Sequence, residues 1–207
     1  ELIGAALCNA EDDIILVSKL GMSLKFQAND EQLRPMGRQT AGVQGMKFRE
    51  GDELLDMDVV WGDSDKDLFV VTNEGFAKRT AISEYRLQGR NGFGVKAVQL
   101  AEGRGSLVGA VIVEEDDQIM AIMKSGKVIR SNVDEVKRTG RTTQGVTFAK
   151  PDKNDEIISI ARNEEKDDDE SAENATVNED TAQSSESAVE APAETNAESG
   201  DGENVEA

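Results

Sequence analysis

Residues 37–43 read Gly-Arg-Gln-Thr-Ala-Gly-Val, and the pattern returns as Gly-Arg-Asn-Gly-Phe-Gly-Val at residues 89–95 and as Gly-Arg-Thr-Thr-Gln-Gly-Val at residues 140–146. We call these three segments the Gly-Arg loops. Their first glycines lie 52 and then 51 residues apart. A fixed period of roughly 20–50 residues marks solenoids, propellers and other arrays of one repeated unit. The chain therefore contains one supersecondary unit used three times.

Apolar runs occupy matching places in the three repeats. One run, at residues 14–17, 68–71 and 119–122, is followed each time by a turn glycine, and a second run closes each repeat at residues 54–60, 107–113 and 157–161. The runs are short and rich in Val and Ile, which favours strands over helices. Residues 2–7 match the closing run, so we expect them to end an earlier unit of a larger array.

Two short connections recur in each repeat, a tight one at the turn glycine and an acidic one at residues 11–13, 62–67 and 114–117. They predict about four antiparallel strands per repeat. Four strands in a repeat of this length suit a propeller blade. We therefore predict an all-β, propeller-like fold in which residues 1–163 form about three four-stranded blades, an arc of a bigger disc.

Residues 164–207 differ sharply in composition from the rest of the chain. They are mostly Asp, Glu, Ser, Ala, Asn and Thr, with no aromatic residue, and such a segment buries too little apolar surface to fold. We predict a disordered acidic tail. It holds 16 acidic residues and 1 basic residue of a chain whose net charge is −19, which leaves −4 for residues 1–163. The acidity of the whole chain therefore says little about the folded part.

Cys8 is the only cysteine and histidine is absent. An internal disulfide and a cysteine-built metal site are thus excluded, and the composition fits a reducing compartment. No run approaches the roughly 18 apolar residues that span a bilayer. We expect a soluble intracellular protein with no membrane contact. An enzyme acting alone is disfavoured, because no convergent acid, base or metal cluster is visible in the sequence.

Positively charged residues occur at three shared positions of the repeats. A curved row of such cations suits a polyanion that follows the same curve, because neutralising backbone phosphates releases counterions whatever the base sequence. Bent duplex DNA is the predicted partner. The acidic turns fall elsewhere in each repeat, so we expect the two signs to be separated in space. The alternative is that these cations only solubilise loops or pair with nearby acids. The nine candidate DNA-binding residues are Lys25, Arg79 and Arg130, then Arg34, Arg86 and Lys137, then Arg38, Arg90 and Arg141.

Two further features have structural interpretations. The loop glycines are expected to mark positive φ or close backbone approach. Tyr85 is the only tyrosine and stands at the position of Leu33 and Val136, so we expect it to pack in the core and not to act as a nucleophile.

Residues 1–163 resemble the C-terminal domain of the DNA gyrase A subunit, which is a β-pinwheel also found in topoisomerase IV. The resemblance is carried by three matching segments, each leading to Gly-Val, at residues 33–38, 85–90 and 137–141. The resemblance implies the last three blades of a six-bladed disc, followed by the acidic tail. It also implies that the rim wraps DNA so that ATP-dependent strand passage introduces negative supercoils.

The same resemblance implies an A2B2 assembly with the gyrase B subunit in the bacterial cytoplasm, associated with the nucleoid. ATP and Mg²⁺ would be used elsewhere in that holoenzyme, and this segment would hold no cofactor, metal or active site. One departure is the basic box Gln-Arg-Arg-Gly-Gly-Lys-Gly, which is absent here and belongs to the family's first blade. The regular repeats favour gyrase. A topoisomerase IV domain and a protein-binding propeller module remain alternatives.

Overall fold

The computed structural model describes residues 2–61 and 65–163, and these confirm the predicted all-β fold. Two 3-10 turns, Ile82–Glu84 and Val133–Glu135, interrupt the strands. The predicted disordered tail, residues 164–207, lies outside the described residues. The strands are β1 (Asp13–Ser18), β2 (Met22–Gln27), β3 (Leu54–Val60), β4 (Asp67–Thr72), β5 (Phe76–Ala81), β6 (Val95–Lys96), β7 (Leu107–Val113), β8 (Gln118–Met123), β9 (Val128–Asn132), β10 (Val146–Thr147) and β11 (Ile157–Asn163).

Within the described ranges the strands form three antiparallel sheets, one for each repeat. Their orders are β3-β1-β2-β6, β10-β5-β4-β7 and β11-β8-β9. The fourth strand of the first sheet, β6, comes from the second repeat, and the fourth strand of the second sheet, β10, comes from the third repeat. The predicted four-stranded antiparallel blades are confirmed, and the structure adds where the fourth strand comes from: the second and third repeats each supply three strands to their own sheet and one short strand to the preceding sheet.

The second sheet is buried on both faces, and this explains the unbroken apolar run of β4. Leu68 and Val70 face a core shared with the first sheet, whereas Phe69 and Val71 face a core shared with the third. Successive side chains of a strand point to opposite faces, so a strand buried on both sides needs no polar alternation. The three blades are therefore joined by two continuous hydrophobic interfaces.

Of the closing strands, β7 packs against both β3 and β11, and we call the side of the molecule formed by these three strands the hub. The carboxylate of Asp58 on β3 accepts a hydrogen bond from the backbone N–H of Ile112 on β7, at 2.8 Å. Strand β7 is the hub-side edge of the second sheet. The bond therefore satisfies a backbone N–H that would otherwise lack a partner strand. The hub is thus stitched by side-chain-to-backbone contacts between neighbouring blades.

Residues 2–7 form no strand, contrary to the sequence-based expectation. Leu2 and Leu7 are 82% and 92% exposed. A strand forms through pairing with a neighbour, and none of the described strands pairs with this segment. No helix found in residues 2–61 and 65–163 has the length and apolar character needed to cross a bilayer.

Candidate nucleic-acid interface

The sheet order places β6 and β10 at the edge of each sheet that lies opposite the hub strands. We call this edge the rim. The second and third Gly-Arg loops run directly into β6 and β10, so these two loops, which carry the predicted cations Arg90 and Arg141, lie on the rim. This placement follows from strand exchange, since each loop must leave its own blade to reach the preceding one.

The last glycine of a Gly-Arg loop permits this exchange. Gly94 has φ of +72°, and a Cβ at this position would stand 2.1 Å from the carbonyl oxygen of Ser23 on β2. Gly145 has φ of +80° and approaches the carbonyl of Ala77 in the same way. The interpretation of loop glycines as positive-φ or close-approach positions thus holds for the last glycine. It is wrong for the first, since Gly89 has no positive φ and no atom within 4 Å of a built Cβ.

One predicted trio lies on the surface in all three repeats. Arg86 and Lys137 are exposed, and each directly follows a buried anchor, Tyr85 at 2% and Val136 at 2% exposure. Arg34 is exposed in the same way after the partly buried Leu33. The anchor fixes the backbone, so the next side chain projects outward. The packing role predicted for Tyr85 is confirmed, and burial raises the pKa of its hydroxyl above its ordinary value.

These three cations form no hydrogen bond or ion pair through their side chains with residues 2–61 or 65–163. Each therefore keeps its full charge available to solvent or to a ligand. The shared position gives one open cation per repeat. The trio consists of Arg34, Arg86 and Lys137.

The Gly-Arg arginines join neighbouring loops. Nη1 of Arg90 donates to the carbonyl of Gln44, at 2.9 Å, and Nη1 of Arg141 donates to the carbonyl of Lys96, at 3.2 Å. Gln44 and Lys96 hold the same place in successive repeats, so one contact occurs twice. Both arginines are half-buried, whereas Arg38 is exposed. Their guanidinium groups thus stiffen the rim and retain part of their surface for a ligand.

The remaining trio is not a surface row. Lys25 is 9% exposed and lies 3.4 Å from Asp13, and Arg79 is 5% exposed and lies 3.5 Å from Asp67. Buried cations held by carboxylates cannot reach a phosphate outside the blade, so we remove Lys25 and Arg79 from the DNA-contact set. Arg130, at the same position, is exposed and donates from Nε to Gln118.

The predicted separation of positive and negative residues is wrong at this position. Asp67 belongs to an acidic turn, and it meets both Arg79 and Arg138, whose Nε lies 2.9 Å away. Burial nevertheless raises the pKa of Asp67 above its ordinary value, since desolvation outweighs the attraction of the two cations. Hydrogen bonding to Asp67 raises the pKa of Arg138. Linear sequence did not reveal that strand pairing would carry the acidic turns onto these cations.

Two basic residues near the rim were missed by the sequence analysis. Lys78 is 1% exposed, and its Nζ donates to the carbonyls of Ala97 and Arg141. Arg104 donates to the carbonyl of Gly145, at 3.1 Å, and its guanidinium carbon lies 4.3 Å from the centre of the Phe76 ring. Each occurs in one repeat only, so a search for shared positions could not find them.

The described ranges hold no group of three or more Cys, Asp or Glu side chains placed to bind a metal ion. The arrangement of the rim is suited instead to an extended anion. Open cations recur once per repeat, and the second and third Gly-Arg loops, which follow Arg86 and Lys137, are fixed by backbone contacts to the preceding blade. A ligand that follows the rim would meet the same charge at each repeat.

Comparison with known proteins gives the same repeat division. The family described as "DNA gyrase C-terminal domain, beta-propeller" matches residues 12–60, 66–114 and 117–164. The DNA gyrase A subunit of Streptomyces coelicolor is 55% identical over 165 residues, which are 80% of this chain and 19% of that protein. The DNA gyrase A subunit of Mycolicibacterium smegmatis is 50% identical over 187 residues, 90% of this chain and 22% of that protein. The chain thus spans about a fifth of the length of these relatives.

Two solved structures share the fold. A DNA gyrase A C-terminal domain superposes with a TM-score of 0.67 at 29% identity, covering 73% of this chain and 50% of that one. A C-terminal domain of DNA topoisomerase IV superposes with a TM-score of 0.68 at 22% identity, covering 74% of this chain and 47% of that one. The likeness to the topoisomerase IV domain concerns the fold alone, whereas the DNA gyrase A subunits are also similar to this chain in sequence.

Proposed function

The chain belongs to the DNA gyrase C-terminal domain family, and from this membership we propose that its rim binds duplex DNA and bends it along successive blades. The observation that carries the proposal is the open cation at one shared position of every repeat: Arg34, Arg86 and Lys137 are all exposed. A charge repeated once per blade matches a phosphate backbone, which repeats its own charge along a curved path.

The binding proposed here reads the DNA backbone and not the bases. Cations that replace condensed counterions give affinity that falls with salt and that varies little with sequence. Bending costs a deformation energy that depends on the steps bent, so flexible pyrimidine–purine steps would be preferred where curvature is greatest. The rim would thus bind deformable DNA preferentially while making no hydrogen bond to a base edge.

The proposed contact set is narrower than the nine residues selected from sequence. It comprises the open trio, with Arg38, Arg90, Arg141 and Arg130 as further contacts, and it leaves out the buried Lys25 and Arg79. Arg90 and Arg141 have a second task, because each also ties two loops together. Replacing them would therefore disturb both binding and the rim.

Within a whole gyrase, we propose that this segment delivers wrapped DNA to strand passage by the rest of the A subunit. The B subunit would hydrolyse ATP with Mg²⁺, and the A2B2 enzyme would introduce negative supercoils in DNA of the bacterial nucleoid. The segment itself would contribute no cofactor site and no catalytic residue. The segment would act by positioning the DNA, because the path of the wrapped DNA decides the sign of the supercoil.

Binding of unrelated duplexes tests the proposal against a protein-binding module. The 207-residue chain is mixed with two random-sequence duplexes that carry a fluorophore pair at their ends. We expect a mobility shift for both duplexes and greater energy transfer on binding, because bending brings the ends together. Absence of a shift at low salt would contradict the proposal.

A further inference from the structure

The residue before the last glycine of each Gly-Arg loop is exposed in every repeat. It is Ala41 in the first repeat, Phe93 in the second and Gln144 in the third. The loop conformation thus sends this side chain outward whatever its chemistry. Small or polar residues stand there in two repeats, and a phenylalanine that is 47% exposed stands there in the other.

The backbone around Phe93 is fastened to the first repeat on both sides. The N–H of Lys47 donates to the carbonyl of Gly92, at 2.7 Å, and the N–H of Asn91 donates to the carbonyl of Gly45, at 2.6 Å. On the other side, Gly94 lies against Ser23 so closely that a Cβ would not fit. The loop backbone that carries Phe93 is therefore held on both sides.

The surroundings of Phe93 in the sequence are basic and apolar at once. Arg90 precedes it by three residues in the same loop, and the exposed Arg86 lies just before that loop. Leu87, beside Arg86, is 56% exposed. At the positions of Leu87 and Phe93, the first repeat has Pro35 and Ala41, and the third has Arg138 and Gln144. Large exposed apolar side chains at these two positions are thus peculiar to the second repeat.

We propose that Phe93 is a wedge that enters the minor groove of the wrapped duplex and partly unstacks one base step at the second Gly-Arg loop, where that loop packs on the first blade. This inference rests on the proposed function. Proteins that bend DNA commonly insert an apolar side chain between base steps while flanking cations hold the phosphates. Unstacking at one point concentrates the bend there, so the duplex would carry one kink at the second Gly-Arg loop and curve smoothly along the rest of the rim.

The wedge also gives the rim a preference for sequence without a hydrogen bond to a base. Pyrimidine–purine steps such as TA unstack most readily. DNA would therefore settle with such a step at Phe93. The first and third Gly-Arg loops would impose no such requirement, since alanine is too short and glutamine too polar to replace a stacked base.

The test uses a duplex with one TA step in an otherwise stiff sequence and 2-aminopurine in place of the adenine of that step. The fluorescence of 2-aminopurine rises when the base is unstacked. With the 207-residue chain, we expect fluorescence to rise at the TA step and to stay constant when the probe is moved away from it. Phe93→Gln, which installs the residue type of the third repeat, should abolish the rise, and Phe93→Leu should retain it.

Affinity provides a second readout. Phe93→Gln should weaken binding by roughly 3- to 10-fold, because stacking on an aromatic ring is partly offset by the cost of unstacking. The salt dependence should not change, since no phosphate contact is removed. Trp61→Gln is the matched control: Trp61 is 45% exposed but lines a cavity with Asp58 and Arg162 on the hub side. This variant should bind and unstack DNA as the parent does.

A gain-of-function variant completes the test. Gln144→Phe should create a second unstacked step on a duplex with two TA steps spaced to match neighbouring blades. An equal fluorescence rise in the parent and in Phe93→Gln would overturn the wedge and would leave Phe93 as a contact for another macromolecule, such as a protein. DNA that is bound and bent without any unstacking would also overturn it. A parent chain that binds no duplex at all would overturn the proposed function itself.

Discussion

Arg79 lies inside the second blade with its Nη1 3.5 Å from Oδ2 of Asp67, and the two side chains are 6% and 2% exposed. The first blade repeats the arrangement with Lys25 and Asp13. In the third blade the pair becomes the exposed Arg130 and the neutral Gln118. One position of the repeat thus holds an internal ion pair in two blades and a surface contact in the third.

Replacing the buried arginine should destabilise the fold. Arg79→Ala leaves Asp67 buried with Arg138 as its remaining cation, and we expect a loss of about 3 kcal/mol in the free energy of unfolding. Arg130→Ala, at the same position in the third blade, should cost about 1 kcal/mol or less, because the side chain is exposed. Urea unfolding followed by circular dichroism measures both. Equal losses in the two variants would show that burial does not distinguish these positions.

The last glycine of the second Gly-Arg loop should tolerate no side chain. In Gly94→Ala, a methyl group would collide with the carbonyl of Ser23, and the backbone would keep an unfavourable positive φ. We expect the pairing of β6 with β2 to be lost at a cost of roughly 2–3 kcal/mol. Gly89→Ala, five residues earlier, meets no atom within 4 Å and should be nearly neutral. Amide hydrogen exchange of Val95 and Lys96 reports the loss of pairing, and protection retained in Gly94→Ala would refute it.

Lys78 should give the protein a pH-dependent stability. Burial is the main cause that lowers its pKa from 10.5 to about 8. Between these two values the unfolded chain binds more protons than the folded one, so this group makes stability rise with pH. Below about pH 8 the cost of the buried charge is fully present, and it is relieved as the pH rises toward 10.5.

The measurement compares the parent with Lys78→Leu, which installs the residue type found at the matching position, Leu24. From pH 7 to pH 9.5, the parent should gain about 2 kcal/mol relative to the variant. The comparison cancels groups common to both proteins, including Tyr85. Parallel pH curves for the two proteins would mean that Lys78 does not change its protonation state in this range.

The strands and cores were predictable because the repeats agree with one another. Three aligned apolar runs identify β1, β4 and β8. Tyr85 occupies the repeat position that holds Leu33 and Val136 in the other repeats, and this identifies it as a packing residue. Strand exchange was not predictable from the same signal. β6 and β10 are two residues long, too short for any alternation of polar and apolar residues to appear.

The candidate site was predictable in part. Comparison of repeats selected Arg34, Arg86 and Lys137, which lie exposed on the rim. It also selected Lys25 and Arg79, because a sequence shows the charge of a residue but not whether its side chain is buried. Depth depends on which acidic turn strand pairing brings beside each cation, and that is a property of the folded blade. Single-repeat residues such as Lys78 and Phe93 carry no periodic signal at all.

The salt dependence of DNA binding tests the rim most directly. The triple variant Arg34→Ala, Arg86→Ala, Lys137→Ala is compared with a charge-matched control, Lys19→Ala, Lys124→Ala, Lys127→Ala, whose lysines lie beside the hairpin turns and form ion pairs there. Both variants lose three positive charges, so any difference reports where the charges lie and not how many there are.

We expect the rim variant to bind duplex DNA more weakly and to flatten the plot of log affinity against log salt by roughly 2 to 3, close to one unit for each phosphate contact removed. The control should keep the slope of the parent. If the rim variant keeps the parent's slope, or if the control flattens it equally, the cations of the rim do not contact the DNA backbone.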